Sequence, residues 1–155
     1  METARPDTIT PEDLLVVEEG FRPSAYKDSE GLWTIGFGCL IDERAGGGIT
    51  EAEGYYLLRN RIAPIYPALD KAIPWWREMN DTRRAVVVSM AYQMGVSGLM
   101  KFRRTLRAMQ AGDYAGAAKG MRSSLWFKQT PGRAKRAARA MESGTFDLPD
   151  SAVFS

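Results

Sequence analysis

Residues 19–38 read EGFRPSAYKDSEGLWTIGFG, and this stretch decides the fold because a predicted helix ends in it and a predicted β-hairpin follows. Two carboxylates, Glu19 and Asp28, and one hydroxyl, Thr34, come from these different elements. Two acids in different local settings can hold different protonation states at one pH, which acid-assisted attack of water on a glycosidic bond requires. The stretch therefore favours carboxylate chemistry.

The predicted helix begins at Thr10-Pro11 and ends at Gly20. Thr10 can cap it, proline suits the first helical position, and glycine is a common C-terminal stop. Glu19 then lies in the last turn, where the negative end of the helix dipole disfavours its ionised form, as a general acid needs. Without the rest of the motif, Glu18 and Glu19 would be solvated charges at a helix end. The apolar residues of the helix are expected to share one face.

The hairpin is predicted to pair a strand at Arg22–Lys27 with one return strand running to Leu40, turning at Asp28–Gly31. Strand alternation places Trp33, Ile35, Phe37 and Cys39 on a core face. Thr34 lies on the opposite face, which is expected to be small and open. Cys39 is expected to be a small buried hydrophobe, since the chain has no histidine to activate it.

The composition narrows the chemistry. The chain has 155 residues, 45% of them hydrophobic and 26% charged, which is typical of a globular protein. One cysteine and no histidine exclude an internal disulfide and argue against a zinc site, so no metal or cofactor is expected. No apolar run approaches the roughly 20 residues of a membrane span, and no export signal is recognised. We therefore expect synthesis in the cytosol and no stable membrane insertion.

Charge is distributed unevenly along the chain. Residues 1–63 carry 12 acids and 6 bases, whereas residues 101–139 carry 11 bases and one acid, Asp113. Such a basic half suggests an anionic partner, whether nucleic acid, a membrane surface or an anionic polymer. Aromatic residues in this half fall at core-like spacings, unlike the stacking residues of nucleic-acid modules. We therefore expect no nucleic-acid partner and interpret the basic face as steering toward an anionic cell envelope.

The remaining chain is predicted to be helical. A capping box at Thr50–Glu53 opens a helix to about Ile62, and prolines break the chain near residues 63–67. A buried central helix follows at residues 85–94, ended by Gly95 and Gly98, and further helices are predicted at 102–109, 114–122 and 133–141. The fold class is thus α+β, mostly α. We expect one domain, with an N-terminal lobe (10–63), a helical lobe (64–146) and a frayed tail (147–155).

Several ordered motifs resemble those of the phage-type lysozymes, or endolysins, of glycoside hydrolase family 24. They are the stretch from Glu19 to Gly38, Ile49–Glu53, Arg83–Ala85, Tyr92–Gly95 and Trp126–Arg136. The resemblance spans roughly residues 12–146. It implies a lysozyme-like fold with a cleft between two lobes, and N-acetylmuramidase activity on the β-1,4 bonds of peptidoglycan.

The resemblance also implies residue roles. Glu19 would be the general acid, and Asp28 and Thr34 would hold or activate the water, with inversion at the anomeric carbon. Leu40, Tyr92 and Thr105 match substrate-binding positions of the family. Gln93 would support the site, and Arg133 matches a basic residue that pairs with the catalytic glutamate. The sequence departs from the family pattern at Cys39, where histidine is common, and at Gly120, which replaces a polar residue. Leu125 stands where some relatives have an arginine, and Pro64 and Pro67 interrupt a connecting helix that is continuous in well-known relatives.

Other functions stay open at this point. A lytic transglycosylase would need only Glu19, and a non-catalytic helical protein could bind an anionic polymer or nucleic acid. The resemblance favours an endolysin for host cell lysis, held in the host cytoplasm until a holin-type partner permeabilises the membrane and then acting on the periplasmic wall. We expect a monomer.

Overall fold

The computed structural model describes residues 10–41 and 48–147. The chain forms two compact units, Met1–Tyr56 and Leu57–Ser155, whereas the sequence suggested a lobe boundary near residue 63. A small antiparallel sheet lies in the first unit and helices make up the second. The predicted α+β, mostly α, lysozyme-like class is confirmed.

The first unit begins with α1 (Pro11–Glu19). Thr10 caps it as expected: its hydroxyl accepts from the Asp13 amide at 3.1 Å, and the Asp13 carboxylate accepts from the Thr10 amide at 2.8 Å. Gly20 ends the helix with φ at 66°. The helix buries none of its residues, and Val17 is 78% exposed, so its apolar side chains form no core in this unit.

The sheet has three strands, in the order β1 (Arg22–Lys27), β2 (Trp33–Gly36) and β3 (Cys39–Leu40), all antiparallel. The prediction of a single return strand was wrong. Gly36 and Gly38 both have positive φ, so the chain turns between them and pairs back on β2. Cys39 was also mispredicted: it lies in a two-residue strand at the sheet edge and is exposed.

The boundary between the two units falls inside α2 (Glu51–Ile62), which the Thr50–Glu53 capping box opens and which ends as predicted. The other elements are α3 (Ile65–Ala72), a 3₁₀ helix (Pro74–Glu78), α4 (Asp81–Leu99), α5 (Arg103–Gln110), α6 (Tyr114–Arg122), α7 (Leu125–Gln129) and α8 (Pro131–Ser143). The predicted glycine-rich loop at 42–48 and the tail lie mostly outside the described residues. Sequence reasoning missed α7, which is a single five-residue turn.

The core of the second unit surrounds α4, whose Val87, Met90 and Ala91 are buried together with residues of α5, α6 and α8. Trp76 is 1% exposed and packs in the same core. Gly95 interrupts α4 with φ at 77° and ψ at 159°, and the helix resumes as far as Leu99. Helices α6 and α8, rich in alanine, pack closely because small side chains let their backbones approach.

Within the described ranges, no single helix has both the length and the apolar composition to cross a membrane; α4 and α5 reach them only as a pair bent by 116°.

Candidate active site

The general-acid candidate, Glu19, is the last residue of α1 and is exposed. Its carboxylate lies against the backbone of Gly38, which follows β2. A β-carbon built at Gly38 would overlap that carboxylate. The end of α1 and the second hairpin turn thus position Glu19 together, and glycine at residue 38 is what allows the approach.

Asp28 closes the first hairpin turn. Its Oδ1 accepts from the backbone amides of Glu30 and Leu32, both at 2.9 Å. Its own amide donates to the Leu32 carbonyl at 2.9 Å. No group among the described residues donates to the other carboxylate oxygen, Oδ2. The turn therefore fixes the carboxylate through one oxygen and leaves the second oxygen to accept a proton or a hydrogen bond.

Thr34 lies on the central strand, paired with Tyr26 on β1 and Leu40 on β3. It is only 4% exposed, so the prediction of an open face around it was wrong. The cause is the third strand, which pairs with β2 and covers it on its second edge. The Thr34 hydroxyl donates to the Leu32 carbonyl at 3.3 Å.

Leu32 is the residue that sequence reasoning missed. Its amide donates to the Asp28 carboxylate and its carbonyl accepts from the Thr34 hydroxyl, so the backbone of one residue fixes the two candidate water-holding side chains relative to each other. The signal was available in the pattern Asp-Ser-Glu-Gly, since aspartate side chains in turns accept from amides farther along the chain.

The other predicted site residues divide between the two units. Leu40 is exposed on β3 in the first unit. In the second, Tyr92 lines a cavity of about 500 Å³ beside Tyr66 and Trp76, whereas Thr105 lines a separate basin of about 910 Å³. The sequence assigned Tyr92 and Thr105 to one substrate site, but the structure places them on different cavities.

Gln93 and Arg133, the predicted supporting residues, both make contacts across the second unit. The Gln93 side-chain oxygen accepts from Trp126 Nε1 at 3.0 Å, which ties α4 to α7. Arg133 on α8 donates to the carbonyl and hydroxyl of Ser89 on α4, at 3.0 and 2.9 Å. Its pairing with Glu19 would join residues of the two units and stays a prediction.

The first unit thus holds an acid at a helix end, a second acid fixed by a turn, and a hydroxyl whose proton is committed to a carbonyl. Hydrolysis by two carboxylates requires one group that donates a proton and one that accepts a proton. A third group that accepts a hydrogen bond from the attacking water helps to hold it in place. Among the described residues no group of three histidine, cysteine or acidic side chains could hold a metal ion.

Comparison with known proteins identifies a family. The Phage lysozyme family model matches residues 17–140. The chain is similar to the pre-baseplate central spike protein Gp5 of Enterobacteria phage T4, with 34% identity, but covers only 28% of that protein's length with 87% of its own. It is 27% identical to probable T4-type lysozyme 1 of Dictyostelium discoideum, covering 95% of it with 87% of this chain. It is 29% identical to peptidoglycan hydrolase gp36 of Pseudomonas phage phiKMV, over 84% of this chain and 15% of that protein.

Proposed function

Because the chain belongs to the phage lysozyme family, we propose that it hydrolyses the β-1,4 bond between N-acetylmuramic acid and N-acetylglucosamine in peptidoglycan. Family membership makes it a lysozyme-type glycosidase; the proposal concerns the residues and the bond. The observation that carries it is the shared Leu32 backbone, which fixes Asp28 and Thr34 relative to each other, while the second hairpin turn receives Glu19. The name of the phiKMV relative supports peptidoglycan as substrate.

In the proposed step, Glu19 gives its proton to the glycosidic oxygen as the bond to the anomeric carbon breaks. Water attacks that carbon, and Asp28 Oδ2 takes the proton that the water loses. The Thr34 hydroxyl donates to Leu32, so its lone pairs remain to accept a hydrogen bond from the same water. Inversion at the anomeric carbon follows, because the water and the leaving group lie on opposite faces of the sugar.

The test replaces Glu19 by glutamine, which keeps the shape and removes the transferable proton. Release of reducing ends from purified peptidoglycan should fall by roughly two to four orders of magnitude, the usual contribution of one general acid. Glu18→Gln, the exposed neighbour, is the matched control and should retain activity. A folded Glu19→Gln protein with near-wild-type activity would contradict the assignment.

The products of the same digest distinguish hydrolysis from the alternative reaction, that of a lytic transglycosylase. A hydrolase leaves reducing N-acetylmuramic acid ends, whereas a lytic transglycosylase leaves 1,6-anhydro ends because the C6 hydroxyl replaces water. The water-holding pair of Asp28 and Thr34 favours hydrolysis. Anhydro ends as the main product of the wild-type protein would reverse that choice.

We further propose a role in host cell lysis, with the chain acting as a monomer that a holin-type partner releases from the cytoplasm to the wall. The single cysteine supports folding in a reducing compartment, since no internal disulfide has to form. Expression in a Gram-negative cytoplasm should then be tolerated until the inner membrane is breached. Lysis without any permeabilising partner, dependent on the secretion machinery, would contradict this role.

A further inference from the structure

The position of the Glu19 carboxylate depends on the backbone that carries it. Among the described residues, every hydrogen bond of α1 lies within residues 10–20, and neither a hydrogen bond nor an ion pair reaches the Glu19 side chain. The helix also buries none of its own residues. The approach of Glu19 to Gly38 therefore needs a contact elsewhere that fixes the end of α1 on the second hairpin turn.

The strand ladder supplies only part of that fixation. Arg22, at the start of β1, pairs with Gly36 at the end of β2. The register shifts before the next pair, which joins Tyr26 to Thr34. Such an irregularity disrupts the ladder locally and leaves backbone groups unpaired. The pairing nearest to the end of α1 is thus a single step, separated from the regular part of the sheet.

Two phenylalanines extend that step. Phe21 precedes Arg22 and Phe37 follows Gly36, so they lie opposite each other in the same antiparallel register. Their ring centroids are 5.3 Å apart and their planes are tilted by 47°, which is a favourable geometry for an aromatic pair. Phe21 is 64% exposed and Phe37 is 45% exposed. Burial in a core therefore does not account for the contact between these two rings.

We propose that Phe21 and Phe37 are positioning residues for Glu19: their ring contact holds the end of α1 on the second hairpin turn. Phe21 lies two residues after Glu19, and Phe37 directly precedes Gly38. The contact therefore joins the segment that carries the carboxylate to the segment that receives it. This inference rests on the proposed function, in which Glu19 is the general acid. In this role neither ring contacts the substrate.

A positioning role predicts a lower kcat at an unchanged KM. An aromatic pair contributes enough to change the population of the productive Glu19 position by up to about tenfold. We expect Phe21→Ala and Phe37→Ala each to lower kcat on a soluble peptidoglycan oligosaccharide by roughly three- to tenfold. Phe21→Tyr keeps the ring and should retain most of the activity. A raised KM at unchanged kcat would show that the rings bind sugar, and would overturn the proposal.

Combining the two alanine changes tests whether the rings act as a pair. Once one ring is removed the contact no longer exists, so the double variant should lose about as much activity as either single variant. Losses that multiply would show two independent effects and contradict the proposal. If an alanine variant does not fold, Phe21→Leu and Phe37→Leu give the same cycle with smaller losses. Phe146→Ala is the matched control, since this phenylalanine of the second unit is 46% exposed, and it should retain activity.

Repeating Phe21→Ala in the Glu19→Gln protein separates positioning from a structural role. A residue that acts through the Glu19 proton has nothing left to position there, so the residual activity should not fall further. A further loss by the same factor would mean that Phe21 supports the fold or the binding of substrate, and would overturn the proposal. If Glu19→Gln alone retains near-wild-type activity, the proposed function fails. If Glu19→Gln is inactive but Phe21→Ala is fully active, the positioning role fails and the proposed function stands.

Discussion

At the scale of single residues, the contact between the Glu19 carboxylate and the backbone of Gly38 leaves no room for a β-carbon at residue 38. We expect Gly38→Ala to lower glycosidase activity by about a hundredfold, since a misplacement near 1 Å has about that effect on catalysis. The added methyl group would overlap the Glu19 carboxylate and displace it. The measurement is kcat/KM on a soluble peptidoglycan oligosaccharide.

Gly36→Ala is the matched control for that change. Gly36 has φ at 70° and Gly38 has φ at 65°, so alanine introduces similar backbone strain, about 1–2 kcal/mol, at either position. A β-carbon at Gly36 meets no atom within 4 Å. Both variants should therefore lose similar stability, and only Gly38→Ala should lose most of its activity. Comparable activity loss in both would mean that strain in the hairpin, rather than contact with Glu19, is responsible.

Residue-level predictions succeeded where a local rule applied. The helix cap at Thr10 and the turn at Asp28 depend on side chains bonding to nearby amides, which the sequence shows directly. The burial of Thr34 and the exposure of Cys39 depend on the order of the strands in the sheet, and residue spacing along the chain does not predict that order. Even the alternation that assigned Cys39 to a core face assumed an uninterrupted strand.

At the scale of elements, Arg83 joins the start of α4 to the end of α8. Its guanidinium donates to the carbonyls of Met141, at 2.8 Å, and Glu142, at 3.1 Å, and lies 3.6 Å from the centroid of the Tyr114 ring. These carbonyls belong to the last turn of a helix, where cations are favoured. The contact therefore fixes three helices together.

We expect Arg83→Met to lower the free energy of unfolding by about 2–4 kcal/mol, because charged hydrogen bonds to carbonyls and a close cation–π contact are lost together. Arg84→Met is the control. Arg84 pairs with exposed Asp81 on the surface, so its loss should amount to less than about 1 kcal/mol. Denaturant unfolding of both variants measures the difference, and equal losses would contradict the role given to Arg83.

A second element-scale contact predicts a pH dependence. Hydrogen bonds from Arg77, and then from Trp76, hold the pKa of the Asp70 carboxyl below its ordinary value of 3.8. The unfolded chain therefore takes up the proton first on acidification. The stability that Asp70 contributes is complete above its ordinary pKa and is lost as the pH falls through the lower folded value.

Asp70→Asn should consequently unfold at a temperature that falls less between about pH 5 and pH 3 than that of wild type. The amide oxygen can still accept from Trp76, so the packing of the 3₁₀ helix against α3 is kept. Thermal unfolding at several pH values gives the two slopes. Parallel slopes would mean that other carboxylates dominate the acid response.

Most elements could be predicted because their ends carry explicit signals. The Thr50–Glu53 box, Asp113 at the start of α6 and Gly144 after α8 each mark a boundary that the structure confirms. Helix α7 was missed because a single turn has too few residues for periodicity to register, and its stability comes from the packing of Trp126 on Phe102 and Gln93. Tertiary contacts of that kind are not encoded locally.

At the scale of the whole molecule, a formal net charge of +2 conceals a strongly basic helical unit. Four of its cations, Lys101, Arg103, Arg104 and Lys119, line one cavity, while others, such as Lys135 and Arg139, are exposed on α8. The sequence revealed this charge excess but not its distribution, because Arg104 and Lys119 come to line the same cavity only through the packing of α5 on α6. Long-range attraction toward an anionic wall depends on all of these cations together.

If the basic helical unit steers the enzyme toward the anionic cell wall, the effect of salt on activity should depend on the substrate. Raising ionic strength from about 0.01 to about 0.15 M shortens the Debye length from roughly 30 to roughly 8 Å. Clearing of permeabilised cells, whose wall is an extended polyanion, should then slow by about tenfold or more. Cleavage of a short, soluble peptidoglycan oligosaccharide should change by less than about twofold, since little long-range attraction acts on so small a substrate. Lys135→Gln with Arg139→Gln should flatten the salt response on cells without altering oligosaccharide cleavage, because these exposed cations contribute only to the field. Equal salt sensitivity on both substrates would locate the effect in the catalytic step and contradict steering.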